Sequence, residues 1–109
     1  MAFDEGLAER VREQVGERPE LEEKRMFGGV GVLLNGNMAC GILNDDLIVR
    51  VGPDNYASAM ERPATRAFDI TGRAMKGWVM VGPDGTESDA DLAAWIDLGI
   101  SFALSPPPK

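Results

Sequence analysis

The densest cluster of residues with ligand-binding potential is the run Phe27-Gly28-Gly29-Val30-Gly31. Glycine-rich turns bind phosphate when they connect a strand to a helix, because the first amides of the helix then face the anion. Here the run leads directly into a strand pattern, and no lysine follows it until Lys76. The glycines therefore favour a β-bulge, or close packing over bare backbone, rather than a phosphate site.

Asp45 and Asp46 form the next candidate site, since paired carboxylates can carry out acid-base chemistry or bind a hard cation. Neighbouring strand residues point to opposite faces, however, and Asn-Asp-Asp is common in turns. The acidic residues between Asp84 and Asp91 lack the central glycine and closing glutamate of a calcium loop. We therefore expect no metal site and no cofactor.

The 109-residue chain contains no histidine and a single cysteine, Cys40. This composition excludes Ser-His-Asp and Cys-His catalysis and the zinc sites that use histidine. One thiol forms neither an internal disulfide nor a thiolate metal cluster. Cys40 lies in an apolar run, as expected for a protein of a reducing compartment. We expect no catalytic residues and no enzymatic activity.

The charge balance is acidic, with 11 Lys and Arg residues against 18 Asp and Glu and a formal charge of -7. A mild local excess of basic residues occurs between positions 62 and 76, at Arg62, Arg66, Arg73 and Lys76. A protein that contacts about 6 to 10 phosphates would need most of its basic groups on one face. Direct binding of nucleic acid is therefore not expected.

The apolar pattern predicts neither a membrane span nor a secretion signal. No apolar run reaches the ~18 residues that cross a bilayer, and the first residues lack a basic segment. The sequence thus predicts a cytoplasmic protein without membrane contact. Its length and its 44% hydrophobic residues indicate one domain over residues 1–105, followed by a proline-rich tail at 106–109.

A helix is predicted at each end of the domain. Leu7, Val11 and Val15 recur every four residues, which predicts a helix from Asp4 to Val15 that ends at Gly16. Ser88, with Asp91 three residues later, resembles a capping box at the start of a final helix. Its predicted buried residues are Leu92, Trp95, Ile96, Gly99 and Ala103, with Ile100 and Phe102 widening the stripe.

Strand patterns fill the region between these helices. Asn35-Gly36 predicts a tight hairpin between strands at 30–34 and 38–43, with a further strand at each side, at 20–26 and 47–51. A short helix after Pro53 and strands at 65–70 and 77–81 complete the predicted elements. Successive hairpins indicate an antiparallel meander, so the predicted fold class is α+β.

Trp78 is a candidate contact residue on the last of these strands. It alternates with Met80, whereas Val79 and Val81 face the other way, so one of these faces could be partly exposed to a partner. Trp95 on the final helix is expected to lie in the core.

The run Lys24-Arg25-Met26-Phe27-Gly28-Gly29-Val30-Gly31 resembles the N-terminal domain of the TfoX/Sxy family of bacterial competence regulators. The likeness continues to about Ala103 through matching segments in the family order. These are a hairpin at Gly36, the runs 38–43 and 46–50, a short helix at Tyr56, the segment 76–80 and a final helix with Trp95. The residues that match the family pattern are Lys24, Arg25, Phe27, Gly28, Gly29, Gly31 and Arg50.

The resemblance implies an antiparallel sheet packed with an N-terminal and a C-terminal helix, similar to secretion-chaperone-like folds. It also implies a role in transcription regulation through a protein partner rather than catalysis. A non-enzymatic protein-interaction domain is therefore the first functional hypothesis. The matching residues and Trp78 are its candidate contacts.

The sequence is also consistent with other functional hypotheses. A small-ligand-binding protein, or an enzyme using carboxylates and arginine, could be built around Arg25 and Arg50 beside the glycines. Direct nucleic-acid binding is the third and least favoured hypothesis. An exposed sheet edge would also permit a homodimer.

Overall fold

The computed structural model describes residues 5–16, 21–26, 29–34, 36–68 and 77–104. These residues form three helices and six strands. The helices are α1 (Glu5–Val15), α2 (Tyr56–Met60) and α3 (Asp89–Ala103). The strands are β1 (Leu21–Met26), β2 (Gly29–Leu34), β3 (Asn37–Leu43), β4 (Asp46–Arg50), β5 (Thr65–Ala67) and β6 (Trp78–Val81). None of the described helices is long and apolar enough to cross a membrane.

The six strands form one antiparallel sheet in the order β1-β2-β3-β4-β6-β5. The predicted α+β fold with terminal helices is confirmed. The meander covers β1 to β4, whereas β6 lies next to β4 and β5 takes the outer edge. Connections of two residues join the first four strands in order, but α2 separates β4 from β5, so the sequence leaves the order of the last two strands unspecified. Asp69 and Ile70, predicted to extend β5, lie outside the described residues.

The predicted helix boundaries have clear physical causes. Gly16 has φ +64°, and its amide donates a hydrogen bond of 3.0 Å to the carbonyl of Arg12, which ends α1 as predicted. Ser88 Oγ accepts a hydrogen bond of 3.1 Å from the amide of Asp91, so the predicted N-cap of α3 is also confirmed.

The core lies between one face of the sheet and the helices. Gly99 allows α3 to pack closely on β3, since a Cβ at this position would overlap the carbonyl of Ala39. Trp95 is 1% exposed, as the sequence predicts. Each helix contributes to this core, through Leu7, Ala8 and Val11 from α1, Ala59 from α2, and Leu92, Trp95, Ile96, Ile100 and Ala103 from α3.

The opposite face of the sheet is defined by one row of residues that are neighbours on successive strands. The row comprises Lys24, Gly31, Gly41, Ile48, Met80 and Arg66. We call this surface the helix-free face, because every helix in the described ranges packs its buried residues on the other side. Arg50 and Trp78 are paired two positions further along β4 and β6 on this same face.

Candidate functional site

Arg50 lies within cation–π distance of two aromatic rings. Its guanidinium carbon is 5.4 Å from the centre of the Trp78 ring on β6 and 4.9 Å from the centre of the Phe102 ring on α3. The ring centres of Trp78 and Phe68 are 5.9 Å apart, with the two rings tilted by 44°. We call Arg50, Phe68, Trp78 and Phe102 the Arg50 cluster.

The backbone beside Arg50 positions this cluster. Gly52 has φ +85° and ψ 159°, a conformation that is almost restricted to glycine, and a Cβ there would overlap the Phe102 ring. The carbonyl of Gly77 accepts hydrogen bonds from the amides of Val51, at 2.8 Å, and Gly52, at 3.0 Å. These bonds fix the end of β4 against the residue that precedes Trp78.

The cluster is only partly covered. Trp78, Arg50 and Phe102 are half-buried, whereas Phe68 is 6% exposed. Along β6, Val79 and Val81 are buried while Trp78 and Met80 are half-buried, so the predicted alternation of this strand is confirmed. The more accessible side of β6 therefore belongs to the helix-free face.

Arg50 has no acidic partner among the described residues, whose ion pairs involve Arg10, Arg12 and Arg66 instead. A guanidinium that stacks its planar face on an aromatic ring keeps its N–H groups at the edge, where they suit a carboxylate. The Arg50 cluster can therefore bind a group that combines an apolar surface with a negative charge.

The glycine run is explained by strand packing. A Cβ on Gly29 would overlap the carbonyl of Ile42 on β3, and one on Gly41 would lie 2.7 Å from the carbonyl of Val30. The register between β2 and β3 also shifts between Val32 and Leu33, which marks a bulge or irregularity. The close backbone approach predicted for these glycines is confirmed for Gly29. Phe27 and Gly28 lie outside the described residues.

The other family-pattern residues are distributed over the sheet. Lys24 is paired with Gly31 on the helix-free face, whereas Arg25 is paired with Val30, which belongs to the core face. Strands β2 and β3 separate β1 from β4, a distance of roughly 14 Å at about 4.8 Å per strand spacing. The structure therefore does not bring Arg25 and Arg50 together into the pocket that the ligand hypothesis requires.

Two side chains with potential reactivity, those of Cys40 and Asp46, are buried or ion-paired. Cys40 is fully buried, and burial raises the pKa of its thiol from 9.0 to about 12, so it stays protonated and unreactive near neutral pH. Asp46 pairs with Arg66, with 2.6 Å between Oδ2 and Nη2. In the described part of the chain, no three Asp, Glu or Cys side chains are grouped as metal ligands.

An ion pair connects α1 to β1. Arg12 donates two hydrogen bonds to the Glu23 carboxylate, of 3.0 Å from Nε and 2.7 Å from Nη2. The hydrogen bond to Glu23 raises the pKa of Arg12 further above its usual value. A cavity of about 160 Å³ lies beside this pair, and apolar residues such as Val11, Val15 and Val32 line it.

The sequence patterns missed the role of Phe102. Its position in the apolar stripe of α3 assigned it to the core, but its ring lies over Gly52 and Arg50. They also missed that the Arg62 guanidinium carbon lies 3.9 Å from the centre of the Trp95 ring. Contacts of this kind join residues far apart in the chain, so no local spacing indicates them. The glycine of the Gly52-Pro53 turn is the one local signal of a close approach.

Comparison with known protein families agrees with the residue pattern of the sequence. The family model of the TfoX N-terminal domain matches residues 13–103, which is most of the 109-residue chain. The chain therefore belongs to the TfoX N-terminal domain family. No curated protein matches the chain.

Proposed function

We propose that this chain is a non-enzymatic domain that binds a protein partner through the Arg50 cluster. Its family membership supports a setting in the bacterial cytoplasm and a part in transcription regulation through the bound protein. The observation that carries the proposal is the half-buried Arg50 between Trp78 and Phe102, without an acidic partner among the described residues.

The chemistry of the cluster defines the partner. Half-buried aromatic rings and Met80 offer apolar contact area, and Trp and Arg are the side chains that most often dominate binding energy at protein interfaces. Arg50 adds one positive charge to a chain that carries -7 in total. The partner accordingly presents an apolar side chain next to a carboxylate.

Two observations support a role without catalysis. The Cys40 thiol is buried and protonated, so it does not serve as a nucleophile. The carboxylates of Glu23 and Asp46 each form an ion pair with an arginine, which indicates a structural role for both.

Affinity capture with matched variants tests the proposal. The wild-type chain, Arg50→Gln and Arg62→Gln would each be immobilised and exposed to lysate of the source bacterium, and the retained proteins quantified by mass spectrometry. Arg62→Gln is the control, because Arg62 also stacks on a tryptophan, but on Trp95 in the core. We expect the wild type and Arg62→Gln to retain the same protein and Arg50→Gln to lose about tenfold or more of it.

Equal retention by Arg50→Gln would contradict the Arg50 cluster as the contact surface. Failure of the wild type to retain any specific protein in repeated captures would contradict the interaction role itself. Circular dichroism of each variant ensures that any loss of binding is not a loss of folding.

A small apolar ligand is the second candidate function, and the 160 Å³ cavity beside Arg12 and Glu23 favours it. A ligand that binds the native chain raises its melting temperature by mass action, so a thermal-shift screen of small apolar molecules tests this candidate.

Direct nucleic-acid binding is not expected, because three arginines, Arg10, Arg12 and Arg66, are already paired with acids. Retention on duplex DNA at low salt that weakens steeply with added salt would contradict that expectation.

A further inference from the structure

Strand β1 forms an edge of the sheet. In the strand order it has β2 on one side and no described strand on the other. All six of its residues are paired with β2, and Glu22, Glu23, Lys24 and Arg25 are exposed. The outer side of β1 therefore carries backbone N–H and C=O groups suited to pairing with another strand.

The charges on β1 occur in a self-complementary order. Two acids, Glu22 and Glu23, precede two bases, Lys24 and Arg25. When two copies of such a strand run antiparallel, the acidic half of one meets the basic half of the other. We infer that β1 is a homodimer interface, in which two copies join edge to edge into one continuous antiparallel sheet.

Symmetry restricts the register of this pairing. A two-fold axis that relates antiparallel strands within one sheet keeps equivalent side chains on the same face. Directly opposed residues must therefore be an even number of positions apart, or identical. The axis consequently passes midway between the two copies of one β1 residue. The two registers that pair opposite charges place the two copies of Glu23, or the two copies of Lys24, on either side of the axis.

The structure favours the register centred on Glu23. Its carboxylate is already neutralised by Arg12, with oxygen-to-nitrogen distances of 3.0 and 2.7 Å, so two Glu23 side chains can face each other at the axis. In this register Glu22 lies opposite Lys24 of the second copy, and this pair occurs twice. The alternative register opposes two Lys24 side chains, whose repulsion disfavours it.

A charge-swap series tests the dimer with the complete chain, by sedimentation velocity over a range of concentrations. In the Lys24→Glu variant, Glu22 of each copy faces an acid at position 24 of the other copy. The resulting repulsion is expected to raise the dimer dissociation constant by about tenfold or more. The double variant Glu22→Lys with Lys24→Glu exchanges the charges and should restore dimerisation. Positions 22 and 24 are both exposed, and neither variant changes Arg12 or Glu23, so folding should be unaffected.

Disulfide formation tests the register independently, because the single native cysteine, Cys40, is buried. Directly opposed residues in antiparallel strands have Cα atoms about 4.5 to 5.5 Å apart, which fits a disulfide. Under a mild added oxidant, Glu23→Cys should form a covalent dimer, and Lys24→Cys should not.

Three results would overturn this inference: a wild-type chain that stays monomeric at every concentration, a double variant that fails to recover dimerisation, or cross-linking through Lys24→Cys alone. None of these outcomes affects the proposed protein partner at the Arg50 cluster.

Discussion

At the scale of single residues, two glycines with positive φ differ in how strongly an added side chain should destabilise the fold. Gly52→Ala introduces a side chain where φ is +85° and where the Phe102 ring occupies the space. Gly16→Ala also meets a positive φ, but no heavy atom lies within 4 Å of the new Cβ. Backbone strain alone costs about 1–2 kcal/mol at Gly16, and we expect a larger loss at Gly52. Urea unfolding of both variants measures the difference, and equal losses would show that Phe102 does not lie over Gly52.

Cys40 provides a pH-dependent test of the core. The folded chain holds the pKa of its thiol at about 12, above the ordinary value of 9.0, so only the unfolded chain loses this proton between those two pH values. The contribution to stability is present below pH 9 and is lost as the pH rises toward 12. At about pH 10 the wild type should lose about 1 kcal/mol more of its unfolding free energy than Cys40→Ala does. Parallel pH profiles for the two chains would mean that the thiol is accessible in the folded state.

At the scale of elements, the N-cap of α3 contributes to the stability of that helix. Ser88→Ala removes the 3.1 Å hydrogen bond to the amide of Asp91, so we expect the unfolding free energy to fall by about 1 kcal/mol. Ser88→Asp restores an acceptor at the cap and is the matched control. A loss in Ser88→Asp equal to that in Ser88→Ala would argue against a capping role.

The elements themselves were largely predictable from the sequence, for local reasons. The stop at Gly16, the hairpin at Gly36 and the cap at Ser88 each depend on residues within a few positions of one another. The order of β5 and β6 was not predictable in the same way, because no tight turn links β4 to either strand.

The candidate site also combines features that local sequence predicts with features that only the complete fold defines. Alternation along β6 separated Trp78 and Met80 from Val79 and Val81, since strand periodicity is a local property, but it did not indicate which side is more accessible. Phe102, which lies on α3 and 52 residues after Arg50, joins this site through packing that only the complete fold defines. Arg25, which the family pattern groups with Arg50, lies three strands away from it.

At the scale of the whole molecule, the two faces of the sheet differ in what packs on them. The helices and the core occupy one face, and Arg50 and Trp78 of the Arg50 cluster lie on the other, where Phe102 reaches Arg50 from α3. The acidic balance of the chain disfavours nucleic acid, while the local charge of Arg50 favours an acidic group on a protein. We therefore expect a protein partner to bind the helix-free face.

Site-specific photo-cross-linking in cells of the source organism tests whether the partner binds this face. A photoreactive amino acid would replace Met80, which is half-buried on the helix-free face, or Ala94, which is exposed on α3. We expect a discrete covalent adduct with one partner protein from position 80 and none from position 94. An adduct from position 94 alone, or none from either position, would contradict this expectation.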